Sequence, residues 1–183
     1  MSNNPNTSVI NRHRQWTIRP GVDSDTQAIL ELVRELFGEY GLLLDPVLDA
    51  AEHYQPQTGF ANCGGAFCVA WGRDRLLGTA AIHPISGCGC GELRRFYVCQ
   101  EARGTGLALA LTVQIQEWCL ATSTSEIRLW TDARFQRSHA FYTKIGFVRT
   151  GRTQQYHDVN NTTGIEFAAH VDNLKLDHTS AGK

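Results

Sequence analysis

Val98-Cys99-Gln100-Glu101-Ala102-Arg103-Gly104-Thr105-Gly106-Leu107-Ala108 is the stretch that decides the fold. It joins a strand-like run, Glu92 to Val98, to a helical pattern that places Leu107, Leu111, Ile115 and Trp118 on one face. Two closely spaced glycines occupy the junction. Glycine accepts positive backbone dihedrals and lets the chain approach a ligand closely. The first N–H groups of a helix have no intrahelical partner and converge on whatever sits at its start. With the positive charge of Arg103 beside them, the residues Arg103, Gly104, Thr105, Gly106, Leu107 and Ala108 read as a pyrophosphate cradle.

Three nucleotide-binding designs compete for such a turn. A dinucleotide fold wants a third glycine where Leu109 stands, although Glu126 lies near the offset of its ribose-binding acid. A mononucleotide phosphate loop wants Lys followed by Ser or Thr, and Leu107-Ala108 supplies neither. A purely structural strand-to-helix turn remains the plain alternative.

Outward from this segment the elements alternate. On its N-terminal side, Gln15 to Arg19 reads as a strand stopped by Pro20-Gly21. Ser24 and Gln27 form a capping box for a helix carrying Ile29, Leu32, Val33, Leu36 and Phe37 on one face. Asp45-Pro46 starts a second short helix. Ala66 to Trp71 and Leu76 to Ile82, separated by Gly72-Arg73-Asp74, form a hairpin. On the C-terminal side, Glu126 to Trp130 is an inner strand, Arg134 to Lys144 a helix closed by Gly146, and Gly164 to Ala169 a last strand. The expected fold is α/β of the mixed α+β kind, a twisted mixed sheet covered by helices on both faces.

The 183 residues suit one hydrophobic core. We expect a tail over residues 1–12, a single domain over 13–170 and a second tail over 171–183. A formal charge of -1 gives no global attraction to nucleic acid or to an anionic bilayer. No apolar run is long enough for a membrane span and the start is too polar for a signal peptide, so the expected location is cytoplasmic. The six cysteines lack paired metal-ligand spacing, and Cys88-Gly89-Cys90 with Cys63 and His83 reads as loop and core thiols rather than a zinc site. No metal is expected.

Arg103-Gly104-Thr105-Gly106-Leu107-Ala108 matches the pattern Arg or Gln, two residues, Gly, one residue, Gly or Ala; Ala140-Phe141-Tyr142 followed by Gly146-Phe147 supplies a second motif in the same order. In these two motifs, separated by the Glu126 to Trp130 strand, the chain resembles the GNAT superfamily of N-acetyltransferases over roughly residues 15 to 170. The resemblance implies splayed central strands, with the pantetheine arm of acetyl-CoA lying in the opening against main-chain groups of Phe96, Tyr97 and Val98. It implies the diphosphate at Arg103, Gly104, Gly106 and their neighbours, and transfer to a primary amine of a small molecule or peptide-like substrate in a ternary complex. Relatives carry Asn where this chain has Phe135, and Ala where it has Ser138.

Under this resemblance Tyr142 is the acid that protonates the departing sulfur, against the alternative of a packed aromatic. The Val98 N–H holds the carbonyl oxygen. Glu92 is the leading general base, directly or through water, against a solvated ion-pair partner. His83, Tyr156 and Asp158 are candidates for the acceptor cleft; each also reads as a loop residue. His139, three residues before Tyr142, is a candidate for a supporting hydrogen bond, and a covalent role for Cys99 is the weaker alternative to direct attack. A homodimer is the default assembly. Two other functions compete: an acyl-CoA-binding sensor or scaffold without turnover, and a nicotinamide-dependent oxidoreductase.

Overall fold

The computed structural model describes residues 9–10 and 16–176. The chain runs through β1 (Val9–Ile10), β2 (Thr17–Pro20), α1 (Thr26–Gly38), a short α2 (Pro56–Gly59), β3 (Ala66–Trp71), β4 (Leu76–Ile85) and β5 (Cys90–Val98). It continues through α3 (Leu107–Ala121), β6 (Glu126–Asp132), α4 (Gln136–Lys144), β7 (Val148–Gln155) and β8 (Thr163–His170). The strands form one mixed sheet in the order β1-β2-β3-β4-β5-β6-β8-β7. Every neighbouring pair is antiparallel except β5 and β6. A mixed α/β sheet with helical cover is thus what the alternation of elements led us to expect.

The core follows from burial of apolar faces. Residues Leu76 to Ile82 of β4 are all buried, and both α1 and α3 pack against this strand. From α1 the buried side chains are Ile29, Leu32, Val33 and Leu36, the stripe read in the sequence. From α3 they include Leu107, Leu111 and Ile115. The fourth expected member, Trp118, is half-buried, and Cys119 takes the inward position.

Three local expectations are revised. The capping box at Ser24 and Gln27 gives way to a 3-10 turn, Asp23–Asp25. There the Asp25 carboxylate accepts from the Val22 N–H at 2.9 Å and from Arg19 at 2.7 and 2.8 Å. A nearly buried carboxylate with charged and main-chain donors outcompetes a serine hydroxyl. Asp45 caps the N–H groups of Val47 and Leu48, both at 2.9 Å, yet only one turn follows. Its second oxygen is held by the Val159 N–H at 3.0 Å, which ties this loop to the β7–β8 connection. Strand β7 has no counterpart among the expected elements: all its residues are exposed, so no buried face imposes an alternation that could be read.

The terminal boundaries also move. Val9 and Ile10 pair with Ile18 and Thr17, placing a strand inside the expected N-terminal tail; the rest of residues 1–15, with the expected strand start at Gln15, lies outside the described residues. The C-terminal tail does not begin at 171. Val171 is buried, Leu174 and Leu176 pack on the core, and the Lys175 N–H donates to the Ile145 carbonyl at 3.0 Å. This segment crosses Gly146 so closely that a Cβ there would stand 2.6 Å from the Asn173 carbonyl oxygen. Gly146, with φ of 105°, therefore serves two needs: it ends α4, and it admits the returning chain. Residues 177–183 lie outside the described residues.

Candidate active site

The site is created by a parting of strands. Cys90 to Leu93 of β5 pair with Glu126 to Leu129 of β6, and there the pairing stops. Beyond that point β5 stays with β4 as far as Val98, while β6 stays with β8 as far as Asp132. A wedge opens between them. The Cys99 N–H donates back to Leu77 on the β4 side at 2.9 Å. Because the groups of successive strand residues point to opposite sides, the N–H and C=O of Val98 face the wedge, and those of Phe96 do likewise.

A bulge adjusts β5 inside this opening. The register passes from Thr79 opposite Tyr97 to Ala81 opposite Arg94, so β5 carries one extra residue. Arg95 takes a positive φ of 49°, and the Thr79 hydroxyl fixes its carbonyl by a 2.6 Å hydrogen bond.

The wedge and the start of α3 bound a cleft of about 820 Å³. Phe96, Tyr97, Val98, Arg103, Gly104, Gly106 and Ala108 line it, joined by Tyr142 from α4. Thr105 and Leu107 do not. The Thr105 hydroxyl closes on the Ala102 carbonyl at 2.7 Å, and the Leu107 side chain is wholly buried in the core. Gly104 and Gly106 have φ of 76° and 85°, and a Cβ on Gly104 would meet nothing within 4 Å. Glycine is required at 104 by backbone conformation, with open space above it.

The donors of this turn divide into two sets. The Arg103 N–H is engaged by the Gln100 carbonyl at 3.2 Å, and that of Thr105 by Ala102 at 3.4 Å. Among the described residues, the N–H groups of Gly104, Gly106, Leu107 and Ala108 have no main-chain acceptor. The Arg103 side chain is likewise committed, to Glu39 and to the Val98 carbonyl at 3.3 Å. Arg137, Lys144 and Lys175 bring positive charge to the cleft instead. Arg137 and Lys144 lie seven residues apart on α4, a spacing that puts them on one face with Phe141 and that sequence reasoning could have noticed. Lys175 carried no such signal.

Tyr142 is buried among Phe96, Phe141, Phe147 and Phe167, with ring centroids 5.6 to 6.0 Å away. Burial pushes its phenol well above the ordinary range, so it keeps its proton. His139 is an anchor: its Nε2 bonds the Asp132 carbonyl at 2.9 Å and Arg149 donates to Nδ1 at 3.1 Å. That pattern sets the neutral imidazole with its proton on Nε2. Cys99 is fully buried and its thiol is pushed up by burial, which leaves it a core residue rather than a nucleophile.

A second, smaller cavity of about 200 Å³ opens beside the cleft. Tyr156 and Asp158 line it. Gly164 makes room for the Tyr156 ring, since a Cβ there would stand 2.8 Å from the Tyr156 Cε2 atom. Burial, then the Glu92 carboxylate, raise the Tyr156 hydroxyl above its usual value. Asp158 closes its own loop by accepting from the Thr162 N–H at 2.7 Å and hydroxyl at 2.6 Å; these bonds outweigh burial and hold its carboxyl below the usual range. His83 and Glu92 line neither cavity. His83 stacks on Phe60, 4.4 Å between ring centres, and Glu92 accepts from the Arg94 Nε at 2.8 Å.

Fold and site together define a split-sheet α/β protein with a helix start of unpaired main-chain N–H groups at the mouth of its wedge. The chain belongs to the acetyltransferase (GNAT) family, whose model matches residues 27–147. Among characterised and uncharacterised relatives, it is 32% identical to N-acetylaspartate synthetase of Danio rerio over 108 residues, 59% of this chain but 36% of that protein. It is 31% identical to an uncharacterized N-acetyltransferase of Schizosaccharomyces pombe over 65% of this chain and 74% of the relative. The chain thus spans about a third of the zebrafish protein and about three quarters of the yeast one. The fold is shared with a GNAT-family acetyltransferase of Staphylococcus aureus, with TM-score 0.71, 18% identity and coverage of 85% of this chain and 99% of that one. It is shared also with yncA of Salmonella typhimurium, determined with its cofactor acetyl-CoA, with TM-score 0.68, 15% identity and coverage of 92% and 99%. Among the described residues, no cluster of His, Cys, Asp and Glu could hold a metal ion, and no helix is long and apolar enough to cross a membrane.

Proposed function

We propose that this protein transfers the acetyl group of acetyl-CoA to the primary amine of a small acceptor, by direct attack within a ternary complex. The observation that carries this reading is the row of unpartnered N–H groups at Gly104, Gly106, Leu107 and Ala108, continuous with the open edge of β5. Such donors suit a diphosphate, and the strand edge suits the amides of a pantetheine arm. A cleft of about 820 Å³ falls in the range of cofactor sites.

Acetyl-CoA supplies the activated thioester. The Val98 N–H receives the carbonyl oxygen as negative charge gathers on it. Tyr142 delivers its proton to the sulfur as the carbon–sulfur bond breaks and is reprotonated by the proton the attacking nitrogen sheds in becoming an amide, a task for which a buried, protonated phenol is fitted. The acceptor reaches the thioester from the smaller cavity, past Tyr156. Glu92 takes up the ammonium proton through water, because its carboxylate lies off the cavity wall and acts on Tyr156 only electrostatically. Arg103 and Asp158 hold the two walls rather than ligands.

The engagement of every nearby carboxylate also favours a second reading, an acyl-CoA-binding module without turnover. Incubating the protein with acetyl-CoA and an amine panel separates the two. Release of free thiol with an acetylated product supports transfer; tight coenzyme A binding without product sinks it. Saturable binding of a nicotinamide dinucleotide in place of coenzyme A sinks both.

A further inference from the structure

The smaller cavity contains a cation that the proposed transfer chemistry does not use. The bulge in β5 turns Arg95 into the region where the two cavities meet, and Arg95 lines both, with Phe37, Tyr97, Trp130 and Phe135. A positive φ in a bulky residue is costly, and persists only where the surroundings enforce it. Here Thr79 pins the carbonyl at 2.6 Å. The guanidinium is held from three sides: its Nε donates to the His53 carbonyl at 3.2 Å, its Cζ lies 4.2 Å from the centre of the Tyr54 ring, and the Tyr97 hydroxyl bears on it.

The neighbouring acids each accept hydrogen bonds from other donors, and Asp49 acts on Arg95 only through space. Asp49 accepts from the Tyr54 hydroxyl at 2.6 Å and from the Asp45 N–H at 2.9 Å. Asp132 holds Arg134 at 2.6 Å, and Asp158 holds Thr162. Among the described residues, no carboxylate forms a salt bridge with Arg95. Among the described residues the cavity therefore presents one positioned guanidinium that no salt bridge occupies, with Asp49 acting on it only through space.

Resting on the transferase reading above, we propose that Arg95 receives a carboxylate of the acceptor, so that the substrate class is small amino acids rather than polyamines, aminoglycosides or peptide chain ends. A planar guanidinium with a rigid donor fork matches a carboxylate, and with Asp49, Asp132 and Asp158 on the same lining the cavity offers both signs of charge to a molecule that carries an amine and a carboxylate, whereas a polycation leaves Arg95 unmatched. A cavity of about 200 Å³ is below the usual size for a drug-sized ligand and admits an acceptor of amino-acid dimensions.

The test uses the full chain, saturating acetyl-CoA, and matched pairs of L-amino acids and their α-carboxamides. Aspartate and glutamate are also paired with asparagine and glutamine to tell an α-carboxylate from a side-chain one, and spermidine and an amidated peptide complete the panel. The amine of a carboxamide is the more readily deprotonated, so intrinsic reactivity favours the amide. The expected result is the reverse, a kcat/KM for the acid at least about ten-fold above its amide partner. In Arg95→Gly, which suits the positive φ, that ratio falls toward one, and in Arg95→Lys it is partly restored. Faster acetylation of amides, spermidine or the peptide by the wild-type protein overturns the proposal, as does an unchanged ratio in a folded Arg95→Gly protein. If that variant does not fold, the wild-type ratio decides alone. If no amine is acetylated although coenzyme A binds, transfer fails as a function. Calorimetric titration of the same pairs into the coenzyme A-loaded protein then decides carboxylate recognition on its own.

Discussion

The Arg103 guanidinium grips Glu39 through two parallel hydrogen bonds, Nη1 to Oε2 at 2.7 Å and Nη2 to Oε1 at 2.8 Å. The pair fastens the glycine turn before α3 to the residue that follows α1. Glu39→Gln keeps the shape and removes one charge of a partly buried two-pronged pair. We expect a stability loss of about 1 kcal/mol and a several-fold rise in KM for acetyl-CoA, with kcat changed less. Urea denaturation and initial-rate kinetics read these separately; an unaltered KM would show that Arg103 does not set the cradle.

Gly104→Ala isolates backbone conformation from crowding. Its φ is 76°, yet the new Cβ would meet nothing within 4 Å. The expected cost is the left-handed penalty alone, about 1–2 kcal/mol, with weakened coenzyme A binding as the turn relaxes. Gly65→Ala is the contrast, since its Cβ would lie in the Ile82 carbonyl. We expect failure to fold there, measured as loss of soluble protein.

Tyr142→Phe removes a single oxygen and keeps the ring contacts with Phe96, Phe147 and Phe167. A fall in kcat of about 10²-fold is expected, with stability changed by less than about 1 kcal/mol. Because burial raises the phenol, the wild-type enzyme should show no alkaline decline from this group up to about pH 10. An unchanged kcat in the variant rules out Tyr142 as the acid.

His139 links stability to pH. Burial, with help from the Arg149 guanidinium, lowers its folded-state pKa below that of the free side chain. As pH falls through about 6.5 the unfolded chain takes a proton that the folded one refuses, so stability is complete above that value and declines below it. His83 shifts in the same direction and adds to the effect. His139→Gln should therefore flatten part of the slope, measured by urea midpoints from about pH 7.5 to about pH 5.5. A slope identical to wild type removes His139 from the account.

The segment after β8 offers a truncation test. A chain ending at His170 loses Val171, Leu174 and Leu176 from the core, together with the Lys175 bond to Ile145. A loss of about 2–4 kcal/mol relative to a chain ending at Leu176 is expected, measured by thermal unfolding of both.

Much of the framework was legible because local chemistry and hydrophobic period agreed. The apolar stripe of α1, the β3–β4 hairpin and the glycine junction before α3 each carry their own signal. Among the expected site residues, those on the β5–α3 path were placed at the cleft because their backbone, not their side chains, forms it. Thr105 and Leu107 fell outside the lining because a motif fixes where amides lie but says little about where intervening side chains turn. His83 and Glu92 were read from their place on the strand, yet they sit where β4, β5 and β6 are still paired, before the wedge opens. The C-terminal boundary was drawn too early because three apolar residues spread over Val171 to Leu176 show no period.

By itself the sequence determined a left-handed glycine turn between a strand and a helix, and with it a place where main-chain donors lack helical partners. That follows from dihedral sterics and unsatisfied amides, which are local. Only tertiary structure decided which charges are free to act: Arg103 is consumed by Glu39 and Asp158 by Thr162, while among the described residues Arg95 faces the smaller cavity without a salt-bridge partner. Pairing of charges depends on distances between segments far apart in the chain, and those distances are set by packing.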